Sequence, residues 1–148
     1  MFSKACEYGI KAALHISLHS NLEKKVSITE IANELNFPRH FLSKVLQTLV
    51  KSKILKSSKG PNGGFYLTEQ EKKIPIIRIV EVLDGLDTLN KCGIGIKKCS
   101  DDNPCPIHHE FKPYRDKLRQ LFSERTIADM TNFNTRGDEF KLNSYTKM

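Results

Sequence analysis

Between Ser27 and Leu67 two short amphipathic helical patterns and a glycine-rich hairpin follow one another without a gap, and few architectures accept that order. Ser27-Ile-Thr-Glu30 has the form of a capping box, in which a Ser oxygen and a Glu carboxylate satisfy the free amides at a helix start. It opens a helix carrying Ile31, Ala32 and Leu35 and ending near Asn36. Pro38 suits the first turn of the next helix, where its missing N–H costs nothing. There Phe41, Leu42, Val45, Leu46, Leu49 and Val50 recur at helical spacing, while Arg39, His40, Ser43, Lys44, Gln47 and Lys51 fill the opposite face. Ile54 to Lys59 and Phe65 to Leu67 read as strands joined through Gly60-Pro-Asn-Gly-Gly64, whose glycines supply the positive φ a hairpin loop demands. The pattern is a helix-turn-helix with a wing.

The flanking segments complete a mainly α reading. Phe2, Cys6, Ile10, Ala13, Leu14 and Leu18 mark a first helix over Phe2 to Leu18. Pro75 opens a further helix through Leu83, with Gly85 as its C-cap. From Pro104 or Ile107 to Phe122 a longer helix carries Phe111, Tyr114, Leu118, Leu121 and Phe122 as an apolar stripe too extensive for one small winged domain to cover, which implies a homodimer. Thr126 caps a short helix, Ile127 to Thr131. The domain reading is therefore a winged helix-turn-helix over residues 1–84, a cysteine-rich loop over 85–109, a dimerisation helix with a short terminal helix over 110–132, and a disordered tail over 133–148.

Charge separates the classes of partner. The chain of 148 residues has a formal net charge of +7. From Leu35 to Thr68 six basic residues, Arg39, Lys44, Lys51, Lys53, Lys56 and Lys59, occur with no acidic one, which points to a polyanion. Helix-turn-helix docking puts Arg39, His40, Ser43, Lys44 and Gln47 in the major groove of double-stranded DNA and brings Lys59 and Asn62 at the wing tip to the backbone or minor groove. The plainer alternative is a winged helix that binds protein. No apolar run approaches the roughly 20 residues of a membrane span, and no h-region follows the charged N-terminus, so the expected location is the cytoplasm. There is no P-loop, G-x-S-x-G, H-E-x-x-H or Cys-X-X-Cys, which removes the common catalytic frameworks.

Residues 92 to 109, CGIGIKKCSDDNPCPIHH, hold three of the four cysteines and two of the five histidines. In a reducing compartment such a cluster reads as metal ligands or redox-active thiols. Gly93, Gly95 and Pro104 let the loop bend so that three sulfurs converge, and Lys97 and Lys98 can offset anionic charge. Zinc competes with iron for the set, because three sulfurs and the His108 imidazole also make a closed tetrahedral site. A metal-free thiol-reactive loop is the third reading. Cys6, on the apolar side of the first helix, is most simply a small buried hydrophobe.

The helix-turn-helix, the run Lys59-Gly-Pro-Asn-Gly-Gly-Phe-Tyr-Leu67, the helix Ile76 to Leu83, the three-cysteine loop and the end segment Thr126-Ile-Ala-Asp129 together resemble the IscR/NsrR-type winged-helix regulators of the Rrf-two superfamily, over about residues 1 to 132. The resemblance implies a dimeric bacterial transcription factor whose operator binding is controlled by an iron-sulfur cluster, of two-iron or four-iron type, that responds to nitric oxide, redox state or iron supply. It implies Cys92, Cys99 and Cys105 as thiolate ligands. The fourth ligand is either His108, three positions after the last cysteine, or Glu7 in the first helix of the partner subunit. The chain departs from the commonest pattern in having six residues rather than five between the first two cysteines, and Ser43 stands where some relatives carry a Glu that discriminates between operators.

Overall fold

The Ser27 oxygen accepts the Glu30 amide at 3.1 Å, and from that cap the helix-turn-helix follows. The computed structural model describes residues 1–96, 99–132 and 142, with the backbone of 134–135 and 138–139. Helix α1 spans Lys4–His19, α2 Ile28–Leu35 and α3 Arg39–Lys51. Strands β1, Lys56–Ser58, and β2, Gly64–Tyr66, form the antiparallel hairpin with Ser57 opposite Phe65. Helices α4, Glu69–Lys72, and α5, Ile76–Asp84, lead to a 3-10 turn over Leu86–Asn90. After the cysteine loop come α6, His108–Glu124, α7, Ile127–Thr131, and the short pair β3, Asn134–Thr135, and β4, Asp138–Glu139. The chain is mainly helical with a small wing, as its pattern predicts.

Several boundaries differ for local reasons. Helix α1 starts at Lys4 because the Ser3 hydroxyl accepts the Cys6 amide at 3.1 Å. Pro38 and Pro75 stand just outside their helices as N-caps with extended ψ, so neither lies in a first turn. Asn36 closes α2 in the left-handed region, φ 54°, where its short polar side chain is tolerated. The first strand is shorter than expected because Ile54 and Leu55 are drawn back into the core, both amides donating to the Leu49 carbonyl. Helix α4 is unheralded in the apolar pattern because four residues carry no period; a reciprocal capping box of Thr68 and Glu71 makes it. Phe41 faces partly outward, with its ring edge against Tyr8. Of the segment expected to be a disordered tail, β3 pairs with β4 and Leu142 is buried with the core; residues 133, 136–137, 140–141 and 143–148 lie outside the described residues.

Two apolar clusters organise the molecule. The larger joins Ala12, Ala13 and Ile16 of α1 to Ile31 and Leu35 of α2, Leu42, Leu46 and Leu49 of α3, Ile76 and Ile79 of α5, and Ile127 of α7. The smaller gathers Cys6, Val80 and Leu89, with Leu118 and Phe122 of α6 and Phe2 against them. At Gly9 both meet: a Cβ there would touch Val45 of α3 and Ile79 of α5 at 3.4 Å and collide with Leu83. A two-sided backbone bridge, Ile76 to Arg125 and Ile127 to Ile74, ties the end of α6 and the start of α7 to α5.

The wing is anchored by Val26, whose N–H and C=O both bond Phe65, at 2.9 and 2.8 Å. Gly64, at φ +151°, makes the approach feasible, because a Cβ there would lie 2.6 Å from the Val26 carbonyl oxygen. Gly64→Ala is expected to lower stability by roughly 1–3 kcal/mol, read by thermal denaturation with the helix content retained.

His15 of α1 is 2% exposed, and among the described residues neither ring nitrogen has a hydrogen-bond partner. Burial, with the neighbouring His19 ring adding to it and Glu34 opposing, pushes its pKa down from 6.5 to about 4. The unfolded chain therefore binds the proton that the folded chain refuses between these values. Stability is fully present above pH 6.5 and falls by roughly 3 kcal/mol as the pH drops toward 4. His15→Leu should flatten denaturant stability across that window.

Candidate functional site

Helix α3 holds its apolar residues Leu42, Val45, Leu46 and Leu49 against the core, which leaves the other face to solvent by periodicity alone. Arg39, His40, Lys44 and Gln47 are exposed there. Ser43 is half-buried beside them, and its hydroxyl accepts from Gln47 Nε2 at 3.4 Å. Lys59 and Asn62 are exposed in the loop between β1 and β2, closed by the Gly63 amide on the Gly60 carbonyl at 3.0 Å. Lys25, preceding the wing's anchor, sits 4.8 Å from the Tyr66 ring centroid and adds a cation at the wing's base that the charge run did not single out.

The cysteine loop returns between the 3-10 turn and the start of α6. Lys97 and Lys98 lie outside the described residues. Three turn contacts shape the rest: the Gly95 amide on the Cys92 carbonyl, the Asp102 amide on the Ser100 hydroxyl, and the His108 amide on the Cys105 carbonyl. The donors come together as two pairs. Cys92 Sγ and Cys105 Sγ are 3.7 Å apart, and Cys99 Sγ lies 3.1 Å from His108 Nδ1. Among the described residues no three His, Cys, Asp or Glu side chains draw together closely enough to hold one ion.

Each pair has its own electrostatics. The amides of Ile94, Ile96 and Gly95 point at Cys92 and, with Cys105, lower its pKa against the effect of burial; this is a setting for a thiolate. His108 is 2% exposed, and its Nε2 meets Asp101 Oδ1 at 2.7 Å. Lys112 Nζ reaches both Asp101 oxygens, at 2.8 and 2.7 Å, and with His108 lowers the Asp101 pKa to about 2. Arg115 is partly buried, which disfavours its charge, but hydrogen bonds to Asp116 and Cys99 outweigh this and raise its pKa. His108, Lys112 and Arg115 follow at i, i+4 and i+7 on one face of α6.

The remaining candidates stand apart from this loop. Glu7 is on α1 with its carboxylate 3.0 Å from Lys4 Nζ, an exposed pair that lowers the Glu7 pKa. Cys6 is fully buried against Val80 and Leu89, and burial pushes its thiol up to about 12, so it is inert as a nucleophile. Sequence reading missed Asp101, Lys112 and Arg115. Their one available signal was the helical spacing of the two cations from His108.

Residues 2–132 match the family described as Rrf2, iron-dependent transcriptional regulator. A transcriptional regulator of the helix-turn-helix type from Aquifex aeolicus is 34% identical over 134 residues, 89% of this chain and 92% of its own length. The chain belongs to the Rrf2 family. Its relatives are DNA-binding transcriptional regulators, which are not enzymes. The IscR regulator of Pectobacterium atrosepticum is 22% identical over 125 residues, 84% of this chain and 75% of that one.

Solved structures share the Rrf2 winged fold. CymR of B. subtilis, described as its global cysteine regulator, superposes with TM-score 0.73 at 20% identity over 91% of this chain and 98% of that one. T. potens IscR does so with TM-score 0.70 at 20% identity, covering 98% and 96%. Among the described residues no helix is long and apolar enough to cross a membrane.

If Lys59 meets a phosphate, Lys59→Ala weakens binding to a mixed-sequence duplex and lowers the slope of log affinity against log salt by about one unit. Fluorescence anisotropy titrations across salt concentrations measure it, and an unchanged slope removes Lys59 from the interface.

Proposed function

We propose that this Rrf2-family regulator is a cytoplasmic homodimer that binds an operator through Arg39, His40, Ser43, Lys44, Gln47, Lys59 and Asn62, and that an iron-sulfur cluster held by the cysteine loop controls that binding. The observation that carries the reading is the grouping of Cys92 with Cys105 and of Cys99 with His108.

The donor chemistry fits. With metal–sulfur bonds of about 2.3 Å, a tetrahedral ion sets its sulfurs roughly 3.8 Å apart, close to the Cys92–Cys105 separation. A closed zinc site needs all four donors around one ion, whereas a two-iron cluster takes two protein ligands on each iron. Donors arranged as two pairs therefore favour the two-iron cluster over zinc. When bound, such a cluster supplies a centre labile to nitric oxide and oxidants.

The chain's own residues supply the linkage. The loop begins beyond Leu89, which packs on Cys6 of α1 and Val80 of α5, and it ends at α6, whose Leu118 and Phe122 pack on the same cluster. A change in loop shape therefore bears on α1 and α5, which pack directly on α3. Tyr114 at 76% exposed and Leu121 at 48% leave the outer side of α6 apolar and uncovered in a single chain, which supports a partner subunit there.

A second reading has its own support: the 3.7 Å approach of two thiols suits a metal-free, thiol-reactive switch. Purification without oxygen separates the readings, by visible absorption together with iron, sulfide and zinc per chain. Iron and sulfide in wild type are expected, with loss of the chromophore and of the nitric oxide response of DNA binding in Cys99→Ala. One zinc per chain, or no metal and an unchanged response in Cys99→Ala, overturns the cluster reading.

A further inference from the structure

Both nitrogens of His108 are engaged inside a nearly closed site, and their partners differ in kind. A carboxylate can only accept, so the 2.7 Å contact to Asp101 assigns the ring proton to Nε2. In the neutral ring, the form that ligates a metal, the lone pair is then on Nδ1, which is the nitrogen that faces Cys99 Sγ at 3.1 Å.

The carboxylate that makes this assignment is itself held. Asp101 is a loop residue with its side chain 68% exposed, and such a group normally samples several rotamers. Here Lys112 Nζ contacts both of its oxygens, and Lys112 rises from α6 one turn beyond His108. Loop and helix are clamped by one carboxylate shared between two side chains on a single helical face. The Glu7 carboxylate is instead turned to Lys4 on its own helix.

We propose that Asp101, braced by Lys112, is the positioning residue that makes His108 Nδ1 the fourth ligand, beside Cys99, in preference to Glu7 of the partner subunit. The proposal rests on the cluster reading above. A metal-bound imidazole whose second nitrogen donates to a carboxylate is fixed in tautomer and orientation and is the more basic for it, and loss of such a carboxylate typically weakens metal retention 10- to 100-fold. Asp101 touches neither the cluster nor DNA in this scheme; it acts through the imidazole.

The test uses the full chain purified without oxygen, as wild type, His108→Ala, Asp101→Asn, Asp101→Glu and Lys112→Met. Iron and sulfide are counted, nitrogen hyperfine coupling of the reduced protein is recorded by pulsed electron paramagnetic resonance, and iron loss to a chelator and the reduction potential are followed. Wild type is expected to show a strongly coupled nitrogen that His108→Ala lacks. Asp101→Asn should load iron and sulfide yet release iron about 10- to 100-fold faster, with its potential raised. Asp101→Glu should recover toward wild type, and Lys112→Met, which keeps the carboxylate, should fall between. Iron and sulfide in wild type without nitrogen coupling overturns the proposal and leaves the cluster reading standing, as does an Asp101→Asn variant that matches wild type in both release and potential. Wild type without iron and sulfide overturns the cluster reading and the proposal with it.

Discussion

The close packing of α3 and α5 on α1 depends on one missing side chain, at Gly9. Val45 of α3 and the pair Ile79 and Leu83 of α5 close on that one position, so the helix that presents the basic face and the helix that supports the cysteine loop meet there on a third. Protein interiors are packed too densely to absorb a displacement locally, and α5 touches α3 both directly and through α1. The Ala12 and Ala13 positions extend the same close approach.

On the other side of this junction, Leu89 and Phe122 reach the small cluster around Cys6 from either end of the cysteine loop. Cys6 is thus a packing residue at the place where the elements flanking the cysteine loop meet α1 and α5. The four thiols of one chain divide cleanly by environment. One is sealed in hydrocarbon with its pKa near 12, and three lie in a polar loop where amides, an imidazole and a guanidinium surround the sulfurs.

The winged helix-turn-helix was readable because its signals are local. A 3.6-residue apolar period in 39–51, a Ser cap, an Asn at φ 54° and paired glycines each act within a few residues of where they are written. Where the reading slipped, the cause was tertiary or too short to have a period. Ile54 and Leu55 have strand-like composition but are pulled under α3, and α4 rests on one capping box in four residues.

By itself the sequence determined the family, the helical and hairpin elements, the basic face, and that three soft donors would share one loop, since all of these follow from residue type and short-range spacing. Only the tertiary structure decided that the donors stand as two pairs and that Asp101 is the carboxylate that meets His108. Nothing in the run Ser-Asp-Asp-Asn distinguishes one acid from the next. The choice is made when the loop folds back onto α6 and Lys112, a turn beyond His108, offers one carboxylate two partners at once.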